Sequence, residues 1–190
     1  MNLQSKLPAT PDEFLLWNEG REGKREFVRG KVVEMMINVT RNHASLATNL
    51  LVALRRRLDV LKFDVGSADF GVRTPDGIRY PDVYVDRRTE QSRGEDLAAT
   101  EPVFLAEILS PSSYGRDFVE KLVDYQGVAT AEYYLILSQD EPRVWLSARS
   151  GDSWTRPGEM NGEDTLDLPK LAISIPIAEI YEAIPPLRPA

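Results

Sequence analysis

A chain of 190 residues with 42% apolar and 28% charged side chains can bury a sizeable core. It reads as one domain over residues 1–184 followed by a short tail, 185–190. It contains no cysteine, which excludes disulfides, thiolate metal sites and a cysteine nucleophile. A formal net charge of −7 argues against a general nucleic-acid coat, which needs basic surface to displace counterions, but not against an enzyme that touches a phosphodiester at one spot.

Taken in order, Thr10 caps a short helix from Pro11 to about Asn18, with Asp12 and Glu13 complementing its dipole. Glu26 to Met35 reads as two strands turning at Arg29-Gly30. Thr40 caps a second helix, from Arg41 to about Val60, whose apolar stripe is Ala47, Leu50, Leu51, Leu54, Leu58 and Leu61. Phe63 to Arg73 is one expected strand, Pro75-Asp76-Gly77 a turn, and Tyr80 to Val85 a strand opened by Asp82. Arg87 to Thr100 is a polar loop.

The strand Val103 to Leu109 stops at Ser110-Pro111. Ser112 or Ser113 caps the next helix, which buries Phe118, Leu122 and Tyr125 and ends at Gly127. Glu132 to Leu137 and Arg143 to Leu146 are strands, and Ser150-Gly151-Asp152 turns toward Trp154. Ile177, Ile180, Tyr181 and Ile184 form a last helical stripe, and the three tryptophans are expected in the core. This order indicates an α/β fold with a mixed sheet flanked by helices. The N-terminus lacks a basic segment followed by an apolar core. No apolar run approaches the roughly 20 residues of a membrane span, so the expected location is the cytoplasm, with no membrane partner.

Glu107 is the residue that needs an explanation. Strand side chains alternate, so it shares a face with Val103, Leu105 and Leu109, while Phe104, Ala106 and Ile108 make the other face apolar too. A carboxylate in such a strand loses its hydration and must be paired or bind a metal. An ion pair with an Arg or Lys is the bland alternative. Asp82 on a neighbouring strand can join Glu107 in presenting oxygens to one hard divalent cation, Mg²⁺ or Mn²⁺, and a nearby ammonium such as Lys121 can position a water. Lys121 has its own bland reading, a solvated helix pair with Asp117 four residues earlier.

Pro81-Asp82, Glu107-Ile108-Leu109-Ser110-Pro111-Ser112, Glu120-Lys121-Leu122 with Tyr125, and Glu132-Tyr133-Tyr134 together resemble the Uma-two family, a group of proposed restriction endonucleases within the PD-(D/E)XK nuclease superfamily. Glu26 to Gly30 and Arg41-Asn42-His43 extend the resemblance, which covers roughly residues 11 to 147. It implies a restriction-endonuclease-like core, with Asp82, Glu107, Lys121 and Glu26 as the catalytic set and Asp82, Glu107 and Ile108 as the metal set. Lys121 comes from the helix, because Leu109 stands where the basic superfamily pattern has its lysine. The resemblance further implies DNA as partner, possible phosphate contacts from His43 and Arg41, and a homodimer.

Other readings of these residues stay open. His43 can simply face water at a helix start, and Arg55-Arg56-Arg57 can be a solvated helix face or touch a DNA backbone. Ser110 with His43 lacks the glycine-flanked turn of a nucleophile. A nuclease core that binds or dimerises without catalysis, and a nuclease acting on RNA, remain alternatives.

Overall fold

The structure, a computed structural model, describes residues 7–35, 38–109 and 117–185. Local signals set its first elements. Helix α1 (Pro11–Asn18) begins where the Thr10 hydroxyl accepts the Glu13 N–H at 3.2 Å, with Pro11 in its first turn. Strands β1 (Arg25–Val28) and β2 (Lys31–Glu34) pair through Arg29-Gly30, whose φ angles of 49° and 77° are those of a type I′ hairpin.

Helix α2 (Arg41–Arg57) is capped by Thr40, which accepts the His43 N–H at 3.2 Å. It ends before the expected Val60. Its buried face is Asn42, Leu46, Leu50, Ala53 and Leu54, with Ala47 and Leu51 only at the margin. Leu61, beyond the helix, is exposed. The expected stripe therefore lay slightly off the true one, because Leu46 and Ala53 pack inward.

The run from Phe63 to Arg73 is two strands, not one. Asp69 and Phe70 both donate to the Ser67 carbonyl, and this turn sends β3 (Phe63–Ser67) and β4 (Gly71–Thr74) into different sheets. Then follow β5 (Gly77–Arg79), β6 (Val83–Arg87), β7 (Ala98–Ala99) and β8 (Pro102–Ile108). Asp82 is not inside a strand. It lies in the link that carries the chain from β5 in one sheet to β6 in the other.

A π-helical turn, Asp117–Lys121, runs into α3 (Leu122–Gln126). The expected stop and cap, Ser110 to Ser113, and the side chains of Asp117 and Phe118 lie outside the described residues. Gly127 does end α3, but with φ −74° rather than a left-handed turn. Its lack of a Cβ serves packing, since one would meet Pro75 Cγ at 2.7 Å.

The remainder is β9 (Tyr133–Leu137), β10 (Arg143–Ser150), β11 (Ser153–Trp154), β12 (Gly158–Asn161), β13 (Thr165–Leu168), β14 (Ile173–Pro176) and α4 (Ile177–Ile180). Strands β12 to β14 were not expected. The alternation that buries Leu166, Leu168 and Ile175 between polar neighbours is their sequence signal.

Two sheets result. One has the order β2-β1-β5-β4-β7, and the other β11-β10-β9-β8-β6-β3 with β12 also on β10. Each is mixed, with parallel pairs β4/β7 and β8/β9. This is the α/β architecture with mixed sheets flanked by helices. Strand β8 is buried along its whole length. Phe104, Ala106 and Ile108 pack in one cluster with Leu46, Leu50 and Leu54 of α2, and Leu105 and Leu109 in another with Tyr125 and Tyr134.

The tryptophans are not core. Each is half-buried with a guanidinium over its ring, Arg21 at 4.1 Å on Trp17, Arg143 at 5.4 Å on Trp145 and Arg149 at 4.8 Å on Trp154.

Gly77 is where β1 and β5 come closest, since a Cβ there would sit 1.8 Å from the Phe27 carbonyl oxygen. Gly77→Ala must force these strands apart, at an expected cost of about 3 kcal/mol in urea unfolding. Gly94→Ala, with nothing within 4 Å of the new methyl, should stay within about 0.5 kcal/mol of the parent.

Candidate active site

Strand register brings the acidic residues together. β6 and β8 run antiparallel with Val83 opposite Ala106, so Asp82, one residue earlier, reaches the level of Glu107. There its Oδ2 accepts the Ile108 N–H at 2.8 Å and lies 3.1 Å from His43 Nε2. His43, considered for a phosphate contact, thus meets Asp82, while its neighbour Arg41 is exposed. The Ile108 side chain packs in the α2 cluster, so a backbone carbonyl is all it can offer a cation.

Glu107 is engaged from the helical segment that ends in α3. Its Oε1 accepts the Tyr125 hydroxyl at 2.7 Å and its Oε2 lies 2.8 Å from Lys121 Nζ. Glu107 is 3% exposed and Lys121 4%. The bland reading of Lys121 is therefore wrong: it is a buried partner of Glu107, not a solvated side chain. The bland reading of Glu107 is half right, since it has an ion pair, with an ammonium. Lys121 and Tyr125 stand one turn apart, so one helical face supplies both partners. Burial first, then the charges of Glu107 and Glu26, hold the Tyr125 phenol well above its usual range. Tyr125 keeps its proton and donates it.

Glu26 sits in a second buried cluster behind this one. Arg79 bridges it at 2.6 Å to Asp124, which takes two guanidinium hydrogen bonds at 2.5 and 2.9 Å. The Tyr80 N–H donates to the other Glu26 oxygen at 3.2 Å. Burial pulls the Arg79 guanidinium down, but the two carboxylates more than offset this and hold it above its ordinary range. Asp124 precedes Tyr125 in α3, so Arg79 ties the helix bearing Lys121 and Tyr125 to β1. Arg79 and Asp124 were missed in the sequence. The signal was a charge in the short strand Gly77-Ile78-Arg79, the same kind that singled out Glu107.

Do these residues fit a divalent cation? The donor chemistry does: Asp82 and Glu107 offer hard carboxylate oxygens, and Asp82 Oδ1 takes no hydrogen bond from the described residues. The charge balance does too. Within this cluster the buried or nearly buried carboxylates are Glu26, Asp82, Glu107 and Asp124, beside Arg79, Lys121 and the His43 imidazole, while Asp86, also buried, is held apart by the Thr100 and Glu101 N–H groups. Three convergent His, Asp or Glu side chains are not found among the described residues. Any such ion would therefore keep several waters, as Mg²⁺ commonly does.

These residues build an α/β protein of mixed sheets whose buried central strand carries a carboxylate paired with a lysine from the following helical turn. The chain belongs to the Uma2 family, described as “Putative restriction endonuclease”, whose model matches residues 11–178. Two relatives are from Synechocystis sp. (strain ATCC 27184 / PCC 6803 / Kazusa). “Uncharacterized protein slr1290” is 25% identical over 182 residues, 92% of each chain. “Uncharacterized protein sll1609” is 27% identical over 158 residues, 82% of this chain and 89% of the other. The fold is shared with a crystal structure described as a “putative nuclease belonging to DUF820” from Anabaena variabilis ATCC 29413. The TM-score is 0.69 at 16% identity, over 92% of this chain and 98% of that one. Among the described residues no helix is long and apolar enough to cross a membrane.

Arg79→Met leaves Glu26 buried without its cation and Asp124 with only Arg29, 3.9 Å away, and chemical denaturation should show a loss of about 3–5 kcal/mol. Alkali gives a second check. Tyr84 is pushed up to about 12, mainly by burial, and Tyr125 lies higher than its ordinary value for the causes above. Raised phenol pKa values stabilise the fold fully below about pH 10, where unfolded tyrosines begin to ionise, and that stability is lost as pH climbs through the folded values. Tyrosinate absorbance should therefore lag behind that of the unfolded chain above about pH 10 and then rise together with loss of circular dichroism.

Proposed function

We propose that the protein is a metal-dependent endonuclease that hydrolyses DNA phosphodiester bonds, with Asp82 and Glu107 holding Mg²⁺ or Mn²⁺. The observation that carries this reading is Glu107 on a central strand, paired with Lys121 and Tyr125, while Asp82 is hydrogen-bonded to the next peptide. Membership of the Uma2 family supports it. A divalent cation bound there would stabilise charge growing on the phosphate and make its water more acidic.

The chain's own part is positioning. Tyr125 donates to Glu107 Oε1 and so fixes the carboxylate plane, leaving Oε2 toward Lys121. Lys121 pairs with Glu107 at 2.8 Å, and its ammonium would be placed to hold an attacking water were an ion bound there. His43 and the Ile108 N–H both engage Asp82 Oδ2, which leaves Oδ1 for the ion. Glu26 serves through Arg79 by keeping α3 in place rather than by touching the phosphate.

A binding module on a nuclease core is the second reading. It is favoured by the lack, among the described residues, of three converging side-chain ligands. The acidic net charge of −7 fits it as well.

Purified protein with Mn²⁺ or Mg²⁺ should nick plasmid DNA. Glu107→Ala, Asp82→Ala and Lys121→Ala should each lower the rate by about a hundredfold or more, with circular dichroism showing that they fold. Equal nicking by the parent and Glu107→Ala ends the enzymatic reading, and no calorimetric heat at millimolar Mn²⁺ favours the binding module. RNA offered beside DNA identifies the substrate. The dimer implied by the family resemblance predicts a light-scattering mass twice the 21.4 kDa of one chain.

A further inference from the structure

Tyr133, Leu135 and Leu137 of β9 pack into the α2 cluster. Gln139, two residues beyond that row, meets the start of α2 with an amide instead of an apolar side chain. It is 3% exposed. A buried amide is tolerated where its groups are answered, and here they are. Its Nε2 donates to the Leu109 carbonyl at 2.7 Å, and its Oε1 accepts the Thr40 hydroxyl. Its backbone carbonyl accepts Asn42 Nδ2 at 3.1 Å, and the same nitrogen donates to the Pro185 carbonyl at 2.9 Å. Side chain and main chain of one residue therefore both hold the start of α2.

These bonds close a ring on Asp82. Thr40 donates its one hydroxyl proton to Gln139 and accepts the His43 N–H at 3.2 Å. His43 Nε2 lies 3.1 Å from Asp82 Oδ2, which also accepts the Ile108 N–H at 2.8 Å. Ile108 leads directly to Leu109, whose carbonyl returns to Gln139. Apolar contacts such as those of Leu46 and Leu50 have no direction and do not by themselves fix how α2 is turned on the sheet. A closed ring of hydrogen bonds does fix it. Resting on the reading of Asp82 as a metal ligand, we propose that Gln139 is a positioning residue of the site: acting through Thr40 and His43, it sets where the Asp82 carboxylate points. Groups that orient a ligating carboxylate are worth about 10- to 100-fold in metal affinity or activity.

His43 is the only histidine of the chain, so histidine labelled at its ring nitrogens reports by NMR on that ring alone. In the metal-free parent its Nε2–H should give one signal protected from exchange with water, as a proton held by Asp82 requires. Gln139→Met keeps the bulk of the side chain without its hydrogen bonds, and Thr40→Val does the same for the hydroxyl. Both should lose that signal while circular dichroism shows them folded, whereas Thr40→Ser should retain it. With Mn²⁺ and plasmid, Gln139→Met and Thr40→Val should nick about 10- to 100-fold more slowly than the parent, and Thr40→Ser at close to the parental rate. Thr40→Val breaks the same link from its other end, so it decides the matter if Gln139→Met does not fold. A parental His43 signal in either folded variant, no protected signal in the parent, or a Thr40→Ser that behaves like Thr40→Val overturns the proposal. If the signals follow the expected pattern but the parent does not nick, the ring stands and the nuclease reading falls. If the variants release His43 and still nick at the parental rate, the positioning role falls and the enzyme stays.

Discussion

The pairing of Glu107 with Lys121 in the dry interior is the constraint on which the rest of the structure depends. A carboxylate on a strand covered on both faces has to be matched from nearby, and the match must come from a rigid element. Helix α3 provides it, but α3 has only the five residues Leu122–Gln126 after an irregular turn, too short to be stable by itself. Its anchor is Asp124, held by Arg79, which is in turn held by Glu26. A line of buried charge thus runs from β1 through β5 and α3 to β8. It joins the two sheets at the place where the chain itself crosses between them, and the residue on that crossing is Asp82.

This arrangement explains why the site sits where it does. The link Tyr80–Asp82 is anchored at one end by the Tyr80 N–H on Glu26 and at the other by the Ile108 N–H on Asp82. A side chain on a free loop would have no fixed direction. Here both ends are tied to strands, so the Asp82 carboxylate has a fixed direction while remaining partly open to solvent, at 17% exposure. Glu107, by contrast, is nearly sealed. The pair thus joins one carboxylate partly open to solvent with one almost closed.

Much of the fold was legible because local chemistry agreed with the global structure. Thr10 and Thr40 are good caps, and Arg29-Gly30 sits between two apolar runs. Glu107 stood out because nothing structural called for it. What was not legible depended on distance in sequence. Phe63 to Arg73 reads as one strand until the Ser67–Phe70 turn divides it between sheets, and no local pattern announces a change of sheet. The solvated reading of Lys121 failed for a similar reason. Asp117 lies four residues away and Glu107 fourteen, yet the π-helical turn leaves Lys121 facing the strand. Strands β13 and β14 did carry a period-two pattern, visible in Leu166, Leu168, Ile173 and Ile175, but in segments of four residues each.

Stability alone does not account for so many charges in the interior. Replacing a buried ion pair with apolar side chains is often neutral or stabilising, because desolvation cancels much of the attraction. Here the carboxylates also outnumber the cations, so the fold carries a repulsion that an apolar core would avoid. A pocket of about 310 Å³ opens beside Asp82. Costly buried charge beside an open pocket is an arrangement suited to a binding or catalytic site.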